Sequence, residues 1–185
     1  PWSVAHGRPD DSKGDTQKAI EEYKTALSLE PNSLTAHINL GITLQKLGRL
    51  DEALAEYRTA MQINPYRVEL HYNLGNLYRE KGMLSDAESE YKEAIKLEPD
   101  YTEAMHNLGI VYDILKRPDD AIALYKKITE LKPDSAQAHF DLGLAYGNRG
   151  KLKEAISEWE KALNLDPTLL LAKENIAKAR QFLKK

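Results

Sequence analysis

The sequence predicts an all-α chain built as a tandem array of antiparallel helix pairs. Three observations carry this. Prolines fall at 31, 65, 99, 133 and 167, each 34 residues after the last. Leu-Gly recurs at the same interval, at 40–41, 74–75, 108–109 and 142–143. Between those marks, apolar residues step by three or four, the spacing of one face of an α-helix. A fixed period of 20–50 residues is the signature of a repeat architecture, in which each unit buries its apolar face only by stacking on its neighbours.

The first full unit shows how each element is specified. Leu34, His37, Leu40, Gly41, Leu44 and Leu47 form the apolar stripe of a first helix, helix A. Gly48 ends it, as glycine does just past a helix C-terminus. Asp51 and Glu52 place negative charge at the start of the second helix, helix B, where the helix dipole favours it. Ala53, Leu54, Tyr57, Ala60 and Met61 form the second apolar stripe. Asn64-Pro65 closes the unit, because the residue before proline avoids the α region.

Glycine inside a helix costs about 1 kcal/mol against alanine. The stretch HYNLGNLYREKG (71–82) carries two, and they have different jobs. Gly82 is the turn between helices. Gly75 lies within helix A on its apolar face, where a missing side chain admits a neighbouring helix. The aromatic series Tyr23, Tyr57, Tyr91, Tyr125 and Trp159 is the expected filler of that space, with Tyr91 opposite Gly75.

These positions resemble the tetratricopeptide repeat family. The second unit matches its pattern with His71, Leu74-Gly75, Tyr78, Gly82, Ala87, Tyr91, Ala94 and Pro99. The fourth matches with His139, Leu142-Gly143, Tyr146, Gly150, Ala155, Trp159, Ala162 and Pro167. The resemblance implies a right-handed superhelical solenoid. Its parts are a non-repeat segment (1–13), a half repeat supplying a helix B (14–31), four repeats (32–65, 66–99, 100–133 and 134–167) and a C-terminal capping helix (168–185).

Departures from the pattern carry their own expectations. The third unit has Lys116 at the turn-glycine position, then Arg117-Pro118, and Ile128 where a small alanine belongs, so an altered turn or helix tilt is expected there. Glu88 stands at an apolar position. The half repeat presents Ile20, Tyr23 and Leu27 without a helix A, and Trp2 and Val4 or another chain are the expected cover. In the last helix Leu169, Leu170, Leu171, Ile176 and Ala177 are expected to pack inward. Lys173, Glu174, Lys178, Arg180, Gln181, Lys184 and Lys185 face water.

Composition narrows the function. The net charge is only −3, with 30% charged residues, and gives no basic surface for nucleic acid or an anionic membrane. There are no cysteines, which excludes disulfides, thiolate metal sites and a cysteine nucleophile. No apolar run approaches the ~20 residues of a membrane span, so no membrane insertion is expected. The stretch PWSVAHGRPDD has no basic region followed by an apolar core and does not read as a signal peptide. A cytoplasmic location is the expectation, with the periplasm or an organelle the alternative if a signal lies upstream.

No catalytic chemistry is legible. There is no phosphate loop, nucleophile elbow or HExxH motif, and the carboxylates read as solvated helix faces. His37, His71 and His139 occupy one position in three units. Packed helices lie ~8–10 Å apart, whereas zinc needs ligands at ~2 Å, so these are packing histidines. His106 stands one position along and faces elsewhere, alone. No enzyme, no cofactor and no metal is the expectation.

What remains is binding. In the family, helix A residues away from the apolar stripe line a concave wall. Here that wall is expected to include Asn39, Tyr72, Asn73, Asn76, Arg79, His106, Asn107, Ile110, Phe140 and Asp141. Asn39, Asn73 and Asn107, followed by Asp141, share one position. An amide carries both donors and an acceptor and can pair an extended backbone whatever its sequence. This resembles the asparagine ladder of O-linked N-acetylglucosamine transferases. The carboxylate clamp of Hsp90- and Hsp70-tail binders is missing, since Ile38, Glu69, Tyr72 and Glu103 stand where its basic residues belong. Glu69, Glu80, Glu103, Asp113 and Asp141 outnumber Lys46 and Arg79 on the wall. The expected partner is therefore a neutral or basic protein or peptide, its apolar side chains meeting Tyr72, Ile110, Phe140 and Leu144. Two alternatives stand beside this scaffold reading. One is a homo-oligomer assembling through the open half repeat, a habit of magnetosome-associated tetratricopeptide proteins. The other is the targeting portion of a larger enzyme such as a glycosyltransferase.

Overall fold

Each 34-residue period folds as the sequence pattern dictates. Residues 13–184 are described in the computed structural model and hold ten α-helices with no strand among them. The chain divides into two compact units, one ending at Gly82 and one beginning at Met83. The cover expected from Trp2 and Val4 falls outside the described residues.

The first unit contains α1 (Lys13–Leu29), α2 (Leu34–Lys46), α3 (Leu50–Ile63) and α4 (Val68–Glu80). Each helix packs on the next, and α2 also touches α4. Short connections make sequential helices antiparallel neighbours. The core runs through Ile20, Leu40, Leu44, Tyr57, Leu70 and Leu77, with Tyr23 and Leu27 of α1 half-buried against it. The second unit contains α5 (Leu84–Leu97), α6 (Thr102–Ile114), α7 (Pro118–Leu131), α8 (Ala136–Asn148), α9 (Leu152–Leu165) and α10 (Leu170–Phe182), again packed in sequence. Met105, Leu108, Val111, Tyr125, Ala145 and Trp159 are buried in it.

The repeat glycines behave as two kinds. Gly48, Gly82 and Gly150 sit in the turns at φ of 73°, 74° and 81°, the left-handed region open to glycine. Gly41, Gly109 and Gly143 lie inside helices with a helix B aromatic against them. A Cβ at Gly109 would stand 2.6 Å from Tyr125 Cζ, and one at Gly143 2.5 Å from Trp159 Cδ1.

The third repeat does not have the altered turn expected of it. Lys116 takes the glycine's place at φ 58° and keeps the left-handed geometry. The closing bond survives too: Arg117 N donates to Tyr112 O at 2.8 Å, as Lys151 N does to Tyr146 O at 2.9 Å. The two oddities of the sequence compensate one another. Arg117 Nη1 donates to Glu88 Oε2 at 3.0 Å, and the guanidinium lies 4.4 Å from the centre of the Tyr112 ring. Burial opposes ionisation of Glu88, but hydrogen bonds from Lys92 and Arg117 outweigh it and hold the carboxyl below its ordinary range. A half-buried carboxylate is thus matched by a residue of the neighbouring turn.

The last helix corrects an expectation. Ala172, Ile176 and Ala179 are buried, at the registers of Ala138, Leu142 and Ala145 one period earlier, so α10 lies in helix A register. Leu170, Leu171 and Ala177 do not pack inward, and Leu170 is 68% exposed. Consecutive helical residues diverge by about 100°, and one face of α10 meets α9.

Candidate functional site: the helix A wall

In each unit, helix A side chains that avoid the helix B partner form a stretch of candidate surface. In the first unit Asn39, Tyr72, Asn73, Asn76 and Arg79 are half-buried. Asn39 and Asn73 have no side-chain hydrogen-bond partner among the described residues. The Arg79 Nε is buried without a partner among them. Gln45 bridges outward, with its amide donating to Glu80 Oε2 at 2.9 Å and its carbonyl accepting from the Tyr57 hydroxyl at 3.2 Å. Burial, then the Glu80 charge, pushes the Tyr57 hydroxyl well above its ordinary range, so it remains a donor.

In the second unit His106, Asn107 and Ile110 are half-buried, while Phe140 and Asp141 are buried. Phe140 is therefore core rather than an anchor for a ligand. Ile38, at the same register in α2, is buried as well, because helix A is covered on more sides than its one apolar stripe indicates. His106 is not alone: its Nε2 lies 3.0 Å from Asp141 Oδ2, and its ring packs edge-on to Tyr125 with centroids 5.9 Å apart. Gln137 donates to the other Asp141 oxygen at 2.8 Å. The Tyr125 hydroxyl faces Asp113 Oδ2 at 3.4 Å. Burial, then the Asp113 and Asp141 charges, raises its pKa well above the usual value. This stretch of wall presents acceptors and negative charge: Glu103, Asp113 and Asp141. Among the described residues no group of three His, Asp or Glu side chains could hold a metal ion.

The three repeated histidines are latches. Their Nε2 atoms lie 2.9, 2.8 and 3.0 Å from the carbonyl oxygens of Pro31, Pro65 and Pro133. The other ring nitrogens of His37 and His139 meet Glu56 and Glu158 on helix B at 2.6 and 2.7 Å. One side chain thus ties the start of helix A to both the preceding turn and helix B. The sequence held a signal for this. Positions 37, 71, 105 and 139 read His, His, Met, His, and positions 56, 90, 124 and 158 read Glu, Glu, Leu, Glu.

A second set of linked positions was also legible. Where helix B carries tyrosine, the helix A residue near its hydroxyl is polar, as in Gln45 and Asp113. Where it carries Trp159, that residue is Gly147, whose Cβ would stand 3.4 Å from the far edge of the indole. Asn175 on α10 continues the column of Asn39, Asn73, Asn107 and Asp141 by one more period.

Comparison with known proteins agrees with this architecture. Family models for the TPR repeat match residues 12–48 and 44–82, and tetratricopeptide repeat models match 72–136 and 136–169. The crystal structure of MamA is 31% identical with a TM-score of 0.78, covering 84% of this chain and 91% of MamA. A tetratricopeptide repeat protein from Parabacteroides merdae is 26% identical with a TM-score of 0.81, over 94% of this chain and 69% of that one. YrrB, described as a TPR protein with an unusual peptide-binding site, is 24% identical with a TM-score of 0.77, over 89% and 85% of the two chains. No curated relative matches the chain in sequence. The chain belongs to the tetratricopeptide repeat family. Its fold is one that protein-interaction scaffolds use, and among the described residues no helix is long and apolar enough to cross a membrane.

Proposed function

We propose that the chain is a non-catalytic interaction scaffold that holds an extended peptide, or an extended segment of a partner subunit, against its helix A wall. The observation that carries this is one helix A register, which reads Asn39 and Asn73 in the first unit and Asn107, Asp141 and Asn175 in the second, with the amides of Asn39, Asn73 and Asn175 unengaged by side-chain hydrogen bonds among the described residues. Amides at one register on successive helices suit the regular donors and acceptors of a backbone. Glu103, Asp113 and Asp141 favour a neutral or basic segment over an acidic one. Membership of the family and the likeness to MamA support a scaffold rather than a catalyst.

Calorimetric titration with basic and acidic peptides of equal length tests this. Basic peptides bind more tightly, and Asn73→Ala with Asn107→Ala weakens them. Equal affinity for both charges, with no effect of the double substitution, removes the proposal. Self-association is a second reading, favoured by the exposed Leu170 and Leu171. Light scattering over a concentration series separates the two, since an unchanging monomer mass excludes it.

A further inference from the structure

The second unit contains a cavity of about 240 Å³ on the helix A wall, between α8 and α10. Its sides are Leu144 and Asn148 of α8 and Asn175, Lys178 and Phe182 of α10, and its floor is Trp159. The cavity exists because two substitutions coincide. At the Gly147 register the earlier repeats carry Gln45, Arg79 and Asp113, side chains that would fill this space. The indole is held down by its Nε1, which donates to Phe140 O at 3.2 Å, so its outer edge faces the gap left by Gly147.

Size and charge define the occupant. Small-molecule sites run from roughly 300 to 1,000 Å³, so this cavity is small for one. A dry cavity of about 150 Å³ holds a benzene ring, so a single large side chain fits. The wall here is apolar through Leu144, Trp159 and Phe182, the last 67% exposed. The two ends differ in charge. Asn148 Nδ2 donates to Asp113 Oδ1 at 3.4 Å, which puts a carboxylate beside the α8 edge. Lys178 supplies the only formal charge in the lining, and neither it nor Asn175 has a side-chain partner among the described residues.

We infer that this cavity is an anchor pocket for an aromatic C-terminal residue of a peptide, with Lys178 taking the terminal carboxylate, Asn175 the last amide, and Asp113 a basic residue just before the anchor. The inference rests on the scaffold reading above and fixes the direction and end of the segment it binds. Opposite charges at the two edges give a peptide one favoured orientation.

The test uses fluorescein-labelled Gly-Arg-Lys-Ser-Gly-Phe with a free carboxylate, the same peptide ending in alanine, and its phenylalanine amide. Fluorescence anisotropy should show the phenylalanine acid binding roughly tenfold or more tightly than the alanine peptide, the worth of burying one large apolar side chain. Gly147→Gln restores the side chain of the first repeat and should cut that preference to about twofold or less, by the loss of the same burial. Leu144→Ser, at a surface position, should reduce it with the fold intact by circular dichroism. Lys178→Gln should abolish the preference for acid over amide. Equal binding of the phenylalanine and alanine peptides, or a preference that survives both Gly147→Gln and Leu144→Ser, overturns the pocket. If the alanine peptide still binds and is weakened by salt, the scaffold reading stands without the pocket. If none of the three peptides binds, both fall.

Discussion

Replacing His139 by methionine and Glu158 by leucine would copy the third repeat's Met105 and Leu124 into the fourth, and the outcome follows from the contacts. His139 bonds the Pro133 carbonyl and Glu158, and Glu158 is 12% exposed. Each single substitution leaves one polar partner buried and short of a bond, which costs about 1–3 kcal/mol. The double substitution removes both partners together and fills the space with apolar atoms, as Met105, fully buried, does one repeat earlier. Replacing both partners of a buried hydrogen bond by apolar groups of similar shape can be nearly neutral. The double variant should therefore lie within about 1 kcal/mol of the parent, with a coupling of about 1–3 kcal/mol between the two sites. Urea denaturation followed by circular dichroism, completed as a double-mutant cycle, measures this. Additive single effects, with the double variant the least stable, would refute the idea that the two positions form one exchangeable pair.

Four further outcomes follow. Lys116→Gly relieves a left-handed lysine at φ 58° and should raise stability by about 0.5–1 kcal/mol, read as a shift in the urea midpoint. Gly143→Ala drives a methyl into the Trp159 ring and should cost about 1–3 kcal/mol, with a change in tryptophan emission. Arg117→Met leaves Glu88 half-buried without its guanidinium and should destabilise by about 1–2 kcal/mol, while adding Glu88→Met recovers most of the loss. Burial raises Glu158, but hydrogen bonds from Lys161 and His139 more than offset this and hold it below the ordinary range of a glutamate. A depressed carboxyl contributes stability above its unfolded pKa and loses it as pH falls through the lower folded value. The thermal midpoint should thus drop on acidification below about pH 4.5, and less so in the His139→Met, Glu158→Leu variant.

The helices, their order and their turns were legible because the 34-residue period repeats both causes: apolar spacing and glycine or proline punctuation. The Lys116 turn was misjudged because Lys116, Arg117-Pro118 and Ile128 were each weighed as departures, while the backbone bond that closes the turn leaves no mark in the sequence. The closing bond from Arg117 N to Tyr112 O is kept with lysine at 116. Candidate-site residues were harder to place. Ile38, Phe140 and Asp141 share the wall with half-buried neighbours, and a single stripe of apolar residues cannot reveal that helix A is covered on more than one side. The His–Glu latches and the pairing of Gly147 with Trp159 were written in the sequence, but only as linked changes between registers 19 and 12 residues apart.

The third repeat's exchange of a latch for Met105 and Leu124 has a consequence in acid. Protonation of Glu158 slackens the latch between α8 and α9, while at the same two registers of the third repeat Met105 and Leu124 carry no group to protonate. Acid should therefore loosen the helix pair that carries Trp159 at this latch, a loss that the Met105 and Leu124 registers of the third repeat do not share.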